Sequence, residues 1–311
     1  MGEVLNKVVN QQVVLSELGQ YDISLYMKRE DQIHPFISGN KYRKLKYNIL
    51  KADEQKKFTL LTFGGAFSNH ISAVAFAGNE FGFKTIGIIR GDELGVNLEK
   101  TLDQNITLRI AYEHGMKFKF VTRSDYRFKH TADFIDNLHR EFGDFYLVPE
   151  GGTNELAVKG CEEILKPTDD NFDFICCAIG TGGTIAGLIN AENDNQKVLG
   201  FPALKGDFLQ KEIEKYTKAG KDWSLILDYH FGGFGKISEE LITFINDFKK
   251  ETGIPLDPIY TGKMMFGIVD LIKKGNFKKG TKILAIHTGG LQGIDGMNSR
   301  LQKKNLELIS K

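Results

Sequence analysis

The feature that most constrains the fold of this chain is a regular alternation of apolar, strand-like runs with segments of helical periodicity. Apolar runs of strand length recur at 58–65, 84–91, 116–122, 145–152, 172–180, 197–204 and 282–290. Helical periodicity lies between them, as at 69–82 and 126–143. Strands that alternate with helices are typical of parallel sheets covered by helices on both faces. The pattern therefore predicts an α/β fold with parallel-rich sheets.

Glycine turns at the ends of these runs indicate where a ligand would bind. Five runs end in such a turn, at Gly64, Gly91, Gly151, Gly180 and Gly289. In open parallel sheets, ligands bind at the carboxyl ends of the strands, where such loops meet. We therefore expect a site built from loops that lie far apart in the sequence.

Charge and hydrophobicity exclude several classes of function. The chain has 41 Lys and Arg against 40 Asp and Glu, so its formal net charge is only +1. This balance gives no electrostatic footprint for nucleic acid or for an anionic membrane. No stretch approaches the run of about 18 apolar residues that a membrane-spanning helix requires. We predict a cytoplasmic protein with no nucleic-acid or membrane partner.

The cysteines predict packing rather than chemistry. Cys161, Cys176 and Cys177 have no CxxC or other metal-ligand spacing, so the sequence predicts no metal site. Adjacent residues of a strand point to opposite faces, so Cys176 and Cys177 are expected to be packing residues and not a redox pair. This usage indicates a reducing compartment.

A candidate phosphate-binding loop is the sharpest local motif. The strand-like run "FDFICCAIG" leads into "GTGGT" (180–184), after which a helix starts at once. Glycine lacks the Cβ atom that would keep a phosphate away, and a helix N-terminus carries a partial positive charge. Thr181 and Thr184 add hydroxyl groups. The alternative is a tight strand-to-helix turn that binds nothing.

Residues that are missing from the loop narrow the class of phosphate-containing ligand. A P-loop requires a lysine after its last glycine, and none follows here. A dinucleotide fingerprint requires an acidic residue at the end of the next strand, which 197–204 does not supply. Both nucleotide interpretations are weak, and a single small phosphate group remains.

A lysine follows a glycine turn near the N-terminus. In "IHPFISGNKYRKLKYNIL" (33–50), Lys41 stands at the exit of a Ser-Gly-Asn turn and at the start of a helix-like segment. A solvated helix face needs no such turn, whereas an amine nucleophile must be presented at a fixed angle. A lysine on one loop and a lone-phosphate site on another together suggest pyridoxal 5′-phosphate (PLP), held as a Schiff base.

Six motifs resemble, in order, those of the 1-aminocyclopropane-1-carboxylate (ACC) deaminase and D-cysteine desulfhydrase family. Its members are fold-type II PLP enzymes, with a tryptophan synthase β-like fold. The motifs are "KREDQIHPFISGNKYRKL", "GGAFSNH", "PEGGTN", "GTGGT", "LDPIYTGK" and "HTGG". They extend from Lys28 to Gly290, and although each is modest alone, six in the right order are highly specific.

The resemblance implies a two-domain architecture with the cofactor in the cleft between the domains. We expect a larger PLP-binding domain made of residues 1–46 and 151–311. A smaller Rossmann-like domain, residues 47–150, would be inserted in it. Family analogy also implies a homodimer.

The resemblance assigns roles in cofactor binding. Lys41 matches the Schiff-base lysine, which becomes a free amine able to move a proton once substrate displaces it. Lys44 falls near the phosphate, and Asn69 near the phenolic oxygen of the cofactor. The phosphate itself would lie on the loop residues Gly180, Thr181, Gly182, Gly183 and Thr184.

The remaining roles concern the substrate and the pyridine ring. Ser68, Asn69 and His70 of "GGAFSNH" would meet the substrate carboxylate, with Ser68 able to accept or relay a proton. Tyr260 would stack on the ring and bring its hydroxyl to the substrate, at a turn that we expect at a strand end. Thr261 would face the ring nitrogen, and Thr288 would lie close by.

Two threonines favour one reaction within the family. ACC deaminases carry a Glu after the stacking tyrosine and a Leu in the loop matching "HTGG", where this chain has Thr261 and Thr288. A carboxylate beside the ring nitrogen keeps it protonated and makes a deep electron sink, which a hydroxyl does not. Ejecting a thiolate needs only a shallow sink. We therefore predict β-elimination from D-cysteine, giving pyruvate, ammonia and sulfide, and His70 in place of the ACC enzymes' Gln agrees.

Other functions stay open at this point. ACC deaminase is the alternative within the family, and a racemase or dehydratase of the same fold type would use the same lysine. A non-catalytic PLP carrier or small-phosphate sensor is the alternative from another class. By the same resemblance, Phe234 takes the place of a second family tyrosine and has no hydroxyl, which bears on the preferred substrate.

Overall fold

A computed structural model describes residues 8–206 and 208–311 of the 311-residue chain. Within these residues ten strands form two sheets. The strands are β1 Asn10–Gln12, β2 Ser24–Lys28, β3 Thr59–Gly65, β4 Lys84–Arg90, β5 Met116–Val121, β6 Tyr146–Val148, β7 Phe174–Ile179, β8 Lys197–Pro202, β9 Trp223–Leu225 and β10 Lys282–Ile286.

Helices follow most of the strands, as the alternation of the sequence predicts. They are α1 Asn40–Glu54, α2 Asn69–Phe81, α3 Leu98–Gln104, α4 Ile106–Glu113, α5 Ala132–Phe142, α6 Glu155–Glu162, α7 Gly183–Ala191, α8 Phe208–Glu214, α9 Glu239–Thr252, α10 Thr261–Lys273 and α11 Gly293–Gln302. None of these helices is both long and apolar enough to cross a bilayer.

The larger sheet has six strands in the order β1-β2-β10-β7-β8-β9. All its neighbours pair in parallel except β1, which runs antiparallel to β2. Side chains alternate between its two faces, as the pleat requires. Cys176 lies in the core under α9, α10 and α11, and Cys177 lies in the core under α6, α7 and α8. The predicted packing role of these two buried cysteines is thus consistent with their positions.

The smaller sheet has four parallel strands in the order β5-β4-β3-β6. Leu60 of β3 faces a core built from α1, α2 and α4, while Leu61 and Phe63 face a second core under α5. Both sheets are therefore parallel-rich and covered by helices on both faces, which confirms the predicted α/β class.

The structure differs from the sequence-based boundaries in two places. The segment 126–143 is not one helix, because a short 3-10 turn at Asp125–Phe128 precedes α5. Tyr260 does not stand at a strand end but directly precedes α10. Residues 46 and 47, between which the domain boundary is expected, both lie inside α1, whose apolar face packs on the smaller sheet. The division into two domains stays a prediction.

Candidate active site

One cavity of about 860 Å³ lies where loops from both sheets meet. Loops that follow the carboxyl ends of β3, β6, β7 and β10, and the last residue of β4, all contribute to its wall. The glycine turns predicted from the sequence therefore come together at one place, in the position expected for a ligand of parallel sheets.

A glycine turn presents Lys41 to this cavity. Gly39 has φ 63°, a backbone conformation that favours glycine, and it directly precedes α1. A Cβ atom on Gly39 would lie 1.9 Å from the carbonyl oxygen of Thr288. The backbone N–H of Asn40 donates to that same carbonyl at 3.2 Å. The start of α1 is thereby fixed against the loop after β10, and Lys41 enters the cavity from the helix's first turn.

Two lysines of α1 converge on one carbonyl oxygen. The Nζ atoms of Lys41 and Lys44 each donate to the backbone oxygen of Gly151 at 3.2 Å. Burial lowers the pKa of Lys41 well below its ordinary value, and the charge of Lys44 lowers it further. Burial therefore favours the neutral, nucleophilic form of the Lys41 amine.

Lys44 also contacts a pair of threonines. Its Nζ donates to Thr153 Oγ1 at 3.0 Å and to Thr181 Oγ1 at 3.3 Å, and these two hydroxyls are 2.6 Å apart. We call the loop Gly180–Thr184, together with Lys44 and Thr153, the cradle. Gly182 has φ 86° and no side chain caps α7, so its first backbone N–H groups are left for a ligand. A lysine amine, hydroxyls and free N–H groups in one place suit a phosphate dianion. Burial lowers the pKa of Lys44, and a dianion beside it would favour the ammonium form.

The loop after β3 presents side chains instead. Ser68 is the N-cap of α2, and its Oγ accepts from the backbone N–H of Ile71 at 3.4 Å. Its hydroxyl hydrogen stays available to a ligand. Asn69 Oδ1 and His70 Nδ1 are buried and have no hydrogen-bond partner within the described residues. We call the segment Gly65–His70 the substrate loop.

The protonation of His70 follows from its neighbours. The Thr62 hydroxyl donates to the backbone oxygen of Val148 at 2.8 Å, so Thr62 Oγ1 must accept from His70 Nε2, also at 2.8 Å. This network assigns the hydrogen to Nε2 and leaves Nδ1 as an acceptor. Burial and the charges of Lys41 and Lys44 hold the pKa of His70 well below its usual range. His70 is therefore a neutral hydrogen-bond acceptor.

Tyr260 lies on the large-sheet side of the cavity. A Cβ atom on Gly180 would be 3.2 Å from the Tyr260 hydroxyl, so the ring lies against the glycine loop. Burial raises the pKa of Tyr260, and the carboxylates of Asp257 and Glu150 raise it further. The phenol therefore stays protonated at any physiological pH and can donate a hydrogen bond.

Most of the predicted site residues line this cavity. They are Lys41, Lys44, Ser68, Asn69, His70, Gly180, Thr181, Gly182, Thr184, Tyr260 and Thr288. Gly183 and Thr261 do not. Gly183 lies against Thr153, and the Thr261 hydroxyl donates to Asp257 Oδ1 at 2.7 Å at the start of α10. The contact of Thr261 with the ring nitrogen stays a prediction.

Several other residues line the cavity without having been predicted. They include Asn40, Phe67, Arg90, Glu150, Lys236, Gln292 and Arg300. Thr153, which contacts Lys44, was also missed, although it stands in the motif "PEGGTN". The inner face of α11 carried no such motif, and only its proximity to the loop after β10 could have indicated it.

The residues present fit PLP. The cradle offers a phosphate site that depends on glycine. A Cβ atom on Gly180 would crowd Tyr260, and one on Gly182 would crowd Ile213. Lys41 offers a buried amine whose pKa is lowered. The unpartnered buried atoms of Asn69 and His70 give polar contacts that the protein itself does not satisfy. No cluster of His, Cys, Asp and Glu among the described residues could hold a metal ion.

Comparisons with known proteins agree with this fit. Residues 10–289 match the family model described as "Pyridoxal-phosphate dependent enzyme". A putative ACC deaminase of Pyrococcus horikoshii is 32% identical over 286 residues, covering 86% of this chain and 85% of that protein. The mitochondrial bifunctional D-cysteine desulfhydrase/ACC deaminase of Arabidopsis thaliana is 31% identical over 295 residues, covering 87% of this chain and 73% of that protein.

A solved structure gives the same result. The crystal structure of an ACC deaminase homologue superposes with a TM-score of 0.79 at 26% identity, covering 96% of this chain and 97% of that one. The chain therefore belongs to the family of pyridoxal-phosphate dependent enzymes, in the group that contains ACC deaminase and D-cysteine desulfhydrase.

Proposed function

We propose that this enzyme is a lyase that acts on D-cysteine by β-elimination and yields pyruvate, ammonia and sulfide. The observation that carries the proposal is the buried amine of Lys41, whose pKa is lowered, beside a cradle for one phosphate, with Ser68 and Tyr260 on the same cavity. The relative in Arabidopsis is named for D-cysteine desulfhydrase activity as well as ACC deaminase activity. We further propose a cytoplasmic homodimer, by analogy with the family.

When PLP is bound, it supplies an aldehyde that condenses with amines and a conjugated ring that withdraws electrons from the substrate's Cα. Lys41 Nζ would accept the proton from Cα. The C–S bond then breaks and sulfur departs with the electron pair as hydrosulfide. Tyr260 stays protonated and donates a hydrogen bond toward the leaving sulfur, and the enamine that is released hydrolyses in water to pyruvate and ammonia.

The substrate carboxylate is received by the substrate loop. The Ser68 hydroxyl and the first N–H groups of α2 are donors directed at an anion. His70 Nδ1, as an obligatory acceptor, is suited to the substrate's ammonium group and not to its carboxylate. The loop therefore supports an orientation in which both polar ends of an amino acid are recognised.

The scarcity of carboxylates in the cavity wall supports elimination of a thiolate over opening of a cyclopropane. Thr288 lines the cavity beside Gly289 and Gly290, and Glu150 is the only carboxylate among the described residues that does. Glu150 belongs to the loop after β6 and already accepts from Tyr126 at 2.8 Å. Asp257 is buried and accepts from backbone N–H groups at the start of α10. These contacts support a shallow electron sink.

ACC deaminase is the second candidate, because the curated relatives carry that name. The deciding experiment is product analysis of the reconstituted enzyme with D-cysteine, L-cysteine, D-serine and ACC, with Lys41→Ala as the control. We expect sulfide and pyruvate from D-cysteine and no product from the variant. Release of 2-oxobutanoate from ACC alone would select the second candidate, and bound cofactor without any turnover would indicate a PLP-binding protein.

A further inference from the structure

The charged residues that line the cavity are unequally divided between the two signs. Among the described residues the lining holds one carboxylate, that of Glu150, against the five basic side chains of Lys41, Lys44, Arg90, Lys236 and Arg300. The whole chain has a net charge of only +1, so the excess is local to this cavity.

The phosphate of the cofactor and the α-carboxylate of an amino acid would not balance the charge of all five basic side chains. Lys44 belongs to the cradle, and Lys41 is the amine whose pKa is lowered. Glu150 does not neutralise the rest, because its carboxylate accepts from Tyr126 and pairs with Lys129 at 3.3 Å. Neither Lys236 nor Arg300 has a carboxylate partner within residues 8–206 and 208–311.

Arg300 reaches the cavity along one face of α11. Lining residues recur along this helix at positions 292, 293, 296, 297 and 300, which is the spacing of a single helical face. Arg300 is the last of them and is exposed. Its Nη1 is 3.4 Å from the backbone oxygen of Gly235, the residue directly before Lys236. The guanidinium group therefore lies beside the segment that carries Lys236.

The segment carrying Lys236 is held in place from beneath. Lys263 of α10 is buried, and its Nζ donates to the backbone oxygens of His230 and Gly233, both at 2.9 Å. Phe234 of the same segment packs its ring edge-on against Tyr260, with centroids 6.1 Å apart. Lys236 and Arg300 thus lie close to Phe234 and Tyr260, which also line the cavity.

We propose that Lys236 and Arg300 form a second anion-binding subsite, which recognises a negatively charged group on the side chain of the amino-acid substrate. Carboxylate, sulfonate and phosphate ester groups share the required chemistry, because a guanidinium binds their paired oxygens and an ammonium adds a point charge. This inference rests on the proposed function only in that an amino acid occupies the cavity. D-Cysteine carries no such group, so the subsite extends the ligands of the cavity to amino acids with an acidic side chain.

Simple steering is the competing explanation. Exposed cations at a cavity mouth raise the local concentration of every anion, including the α-carboxylate common to all amino acids. Such steering would not distinguish an acidic side chain from its neutral amide to the extent that a contact does. A subsite would, because aspartate and asparagine have the same shape and differ by one charge.

The test is calorimetric binding to the PLP-loaded enzyme. The ligands are aspartate against asparagine and glutamate against glutamine, each in both enantiomers, since these ligands have no β-leaving group and report binding alone. We expect the acid to bind about tenfold more tightly than its amide, the size of one charged hydrogen bond. Arg300→Gln and Lys236→Gln should each remove most of that preference and leave amide binding unchanged.

Lys205→Gln is the matched control. Lys205 is exposed and its Cβ lies near Gly233, but it does not line the cavity, so its loss should not alter the preference. Equal affinity of acid and amide in the unmodified enzyme would overturn the subsite, as would equal losses for both in the variants or absence of binding by every pair. An enzyme that shows the preference but eliminates no thiol would keep the subsite and refute the proposed reaction.

Discussion

Two loops of this enzyme each lead from a strand into a helix, but one offers backbone groups to a ligand and the other offers side chains. The cradle loop, Gly180–Thr184, leads from β7 into α7, and the substrate loop, Gly65–His70, leads from β3 into α2. In the cradle loop, Gly182 takes φ 86° and no side chain caps the helix. In the substrate loop, Ser68 caps the helix, and Asn69 and His70 each carry a buried atom without a partner in the described chain.

The difference suits the first loop to holding the cofactor and the second to selecting the substrate. Backbone N–H groups of the cradle are the same for any residue, so this loop depends on the absence of side chains and suits the invariant phosphate of a cofactor. The substrate loop depends on particular side-chain atoms, so it can select among ligands. Substitutions in the first loop should therefore affect cofactor retention, and substitutions in the second should affect turnover.

The largest effect is expected from Gly182→Val. A β-branched residue at φ 86° is strained by about 1–2 kcal/mol, and its Cβ would lie 3.0 Å from Ile213 Cγ1. The loop must shift, and its N–H groups lose their alignment. We expect cofactor affinity to fall about 100-fold, since each 1.4 kcal/mol is worth a factor of ten. Fluorescence titration of the apoenzyme with PLP measures it.

Gly253→Val controls for the backbone cost alone. Gly253 ends α9 at φ 72°, and a Cβ atom placed on it would have no other atom within 4 Å. This variant should lose a similar amount of stability in thermal unfolding and keep its cofactor. If Gly182→Val binds PLP as tightly as the Gly253→Val protein does, the cradle is not the phosphate site.

The next effect is expected from Lys44→Met. Removing the ammonium group from Thr153 and Thr181 should weaken PLP binding about 10- to 100-fold, the range for hydrogen bonds to a charged group. The variant should also change Lys41. The charge of Lys44 lowers the pKa of Lys41, so its removal raises that pKa, and the protonated, unreactive amine persists to higher pH.

Covalent attachment measured against pH tests this sign. Borohydride reduction followed by peptide mass spectrometry gives the fraction of Lys41 that carries the cofactor at saturating PLP. The half-point should move to higher pH in Lys44→Met and stay in place in Lys46→Met, because Lys46 pairs with Glu163 outside the cavity. If the half-point stays at the same pH in Lys44→Met, then the charge of Lys44 does not contribute to the reactivity of Lys41.

A smaller effect is expected in the substrate loop, from Ser68→Ala. The cap that it loses is long, at 3.4 Å, so we expect a stability cost of about 0.5–1 kcal/mol. Loss of a hydroxyl that positions a proton or a carboxylate should lower kcat/KM about 10- to 100-fold with cofactor binding unchanged. Ser238→Ala is matched, since Ser238 caps α9 with a 3.2 Å bond to the Leu241 N–H. Equal activity in the two variants would make Ser68 merely structural.

The same contrast explains what the sequence could and could not predict. Glycine-rich turns after strands are local features of the sequence. The cradle loop, Lys41 and the substrate loop could therefore be predicted as candidate site residues from the sequence. The hydrogen bonds of the Thr261 hydroxyl with Asp257 at the start of α10 were not predicted, and the contact of Thr261 with the ring nitrogen stays a prediction. Lys236 and Arg300 come together only through tertiary packing of α11 beside a loop 65 residues earlier, which no local pattern encodes.

The smallest effect on activity is expected from Thr62→Val, one step behind the substrate loop. Valine has the shape of threonine but cannot accept from His70 Nε2 or donate to the Val148 oxygen. His70 would then be free to exchange tautomers, and Nδ1 would present a lone pair only part of the time. We expect kcat/KM to fall about fivefold, because one neutral hydrogen bond is worth about 1 kcal/mol.

The readout that separates this role from general packing is the tautomer itself. Nitrogen-15 chemical shifts of His70 should report a protonated Nε2 in the unmodified enzyme and a mixture in Thr62→Val, with Thr62→Ser restoring both the shift and the activity. Thr85→Val is the matched control, since Thr85 is a buried threonine of the neighbouring strand that lies outside the cavity. If Thr62→Val keeps a single tautomer and loses activity no more than Thr85→Val does, then the acceptor lone pair is not fixed by Thr62, and the discrimination assigned to the substrate loop must come from Ser68 and Asn69 alone.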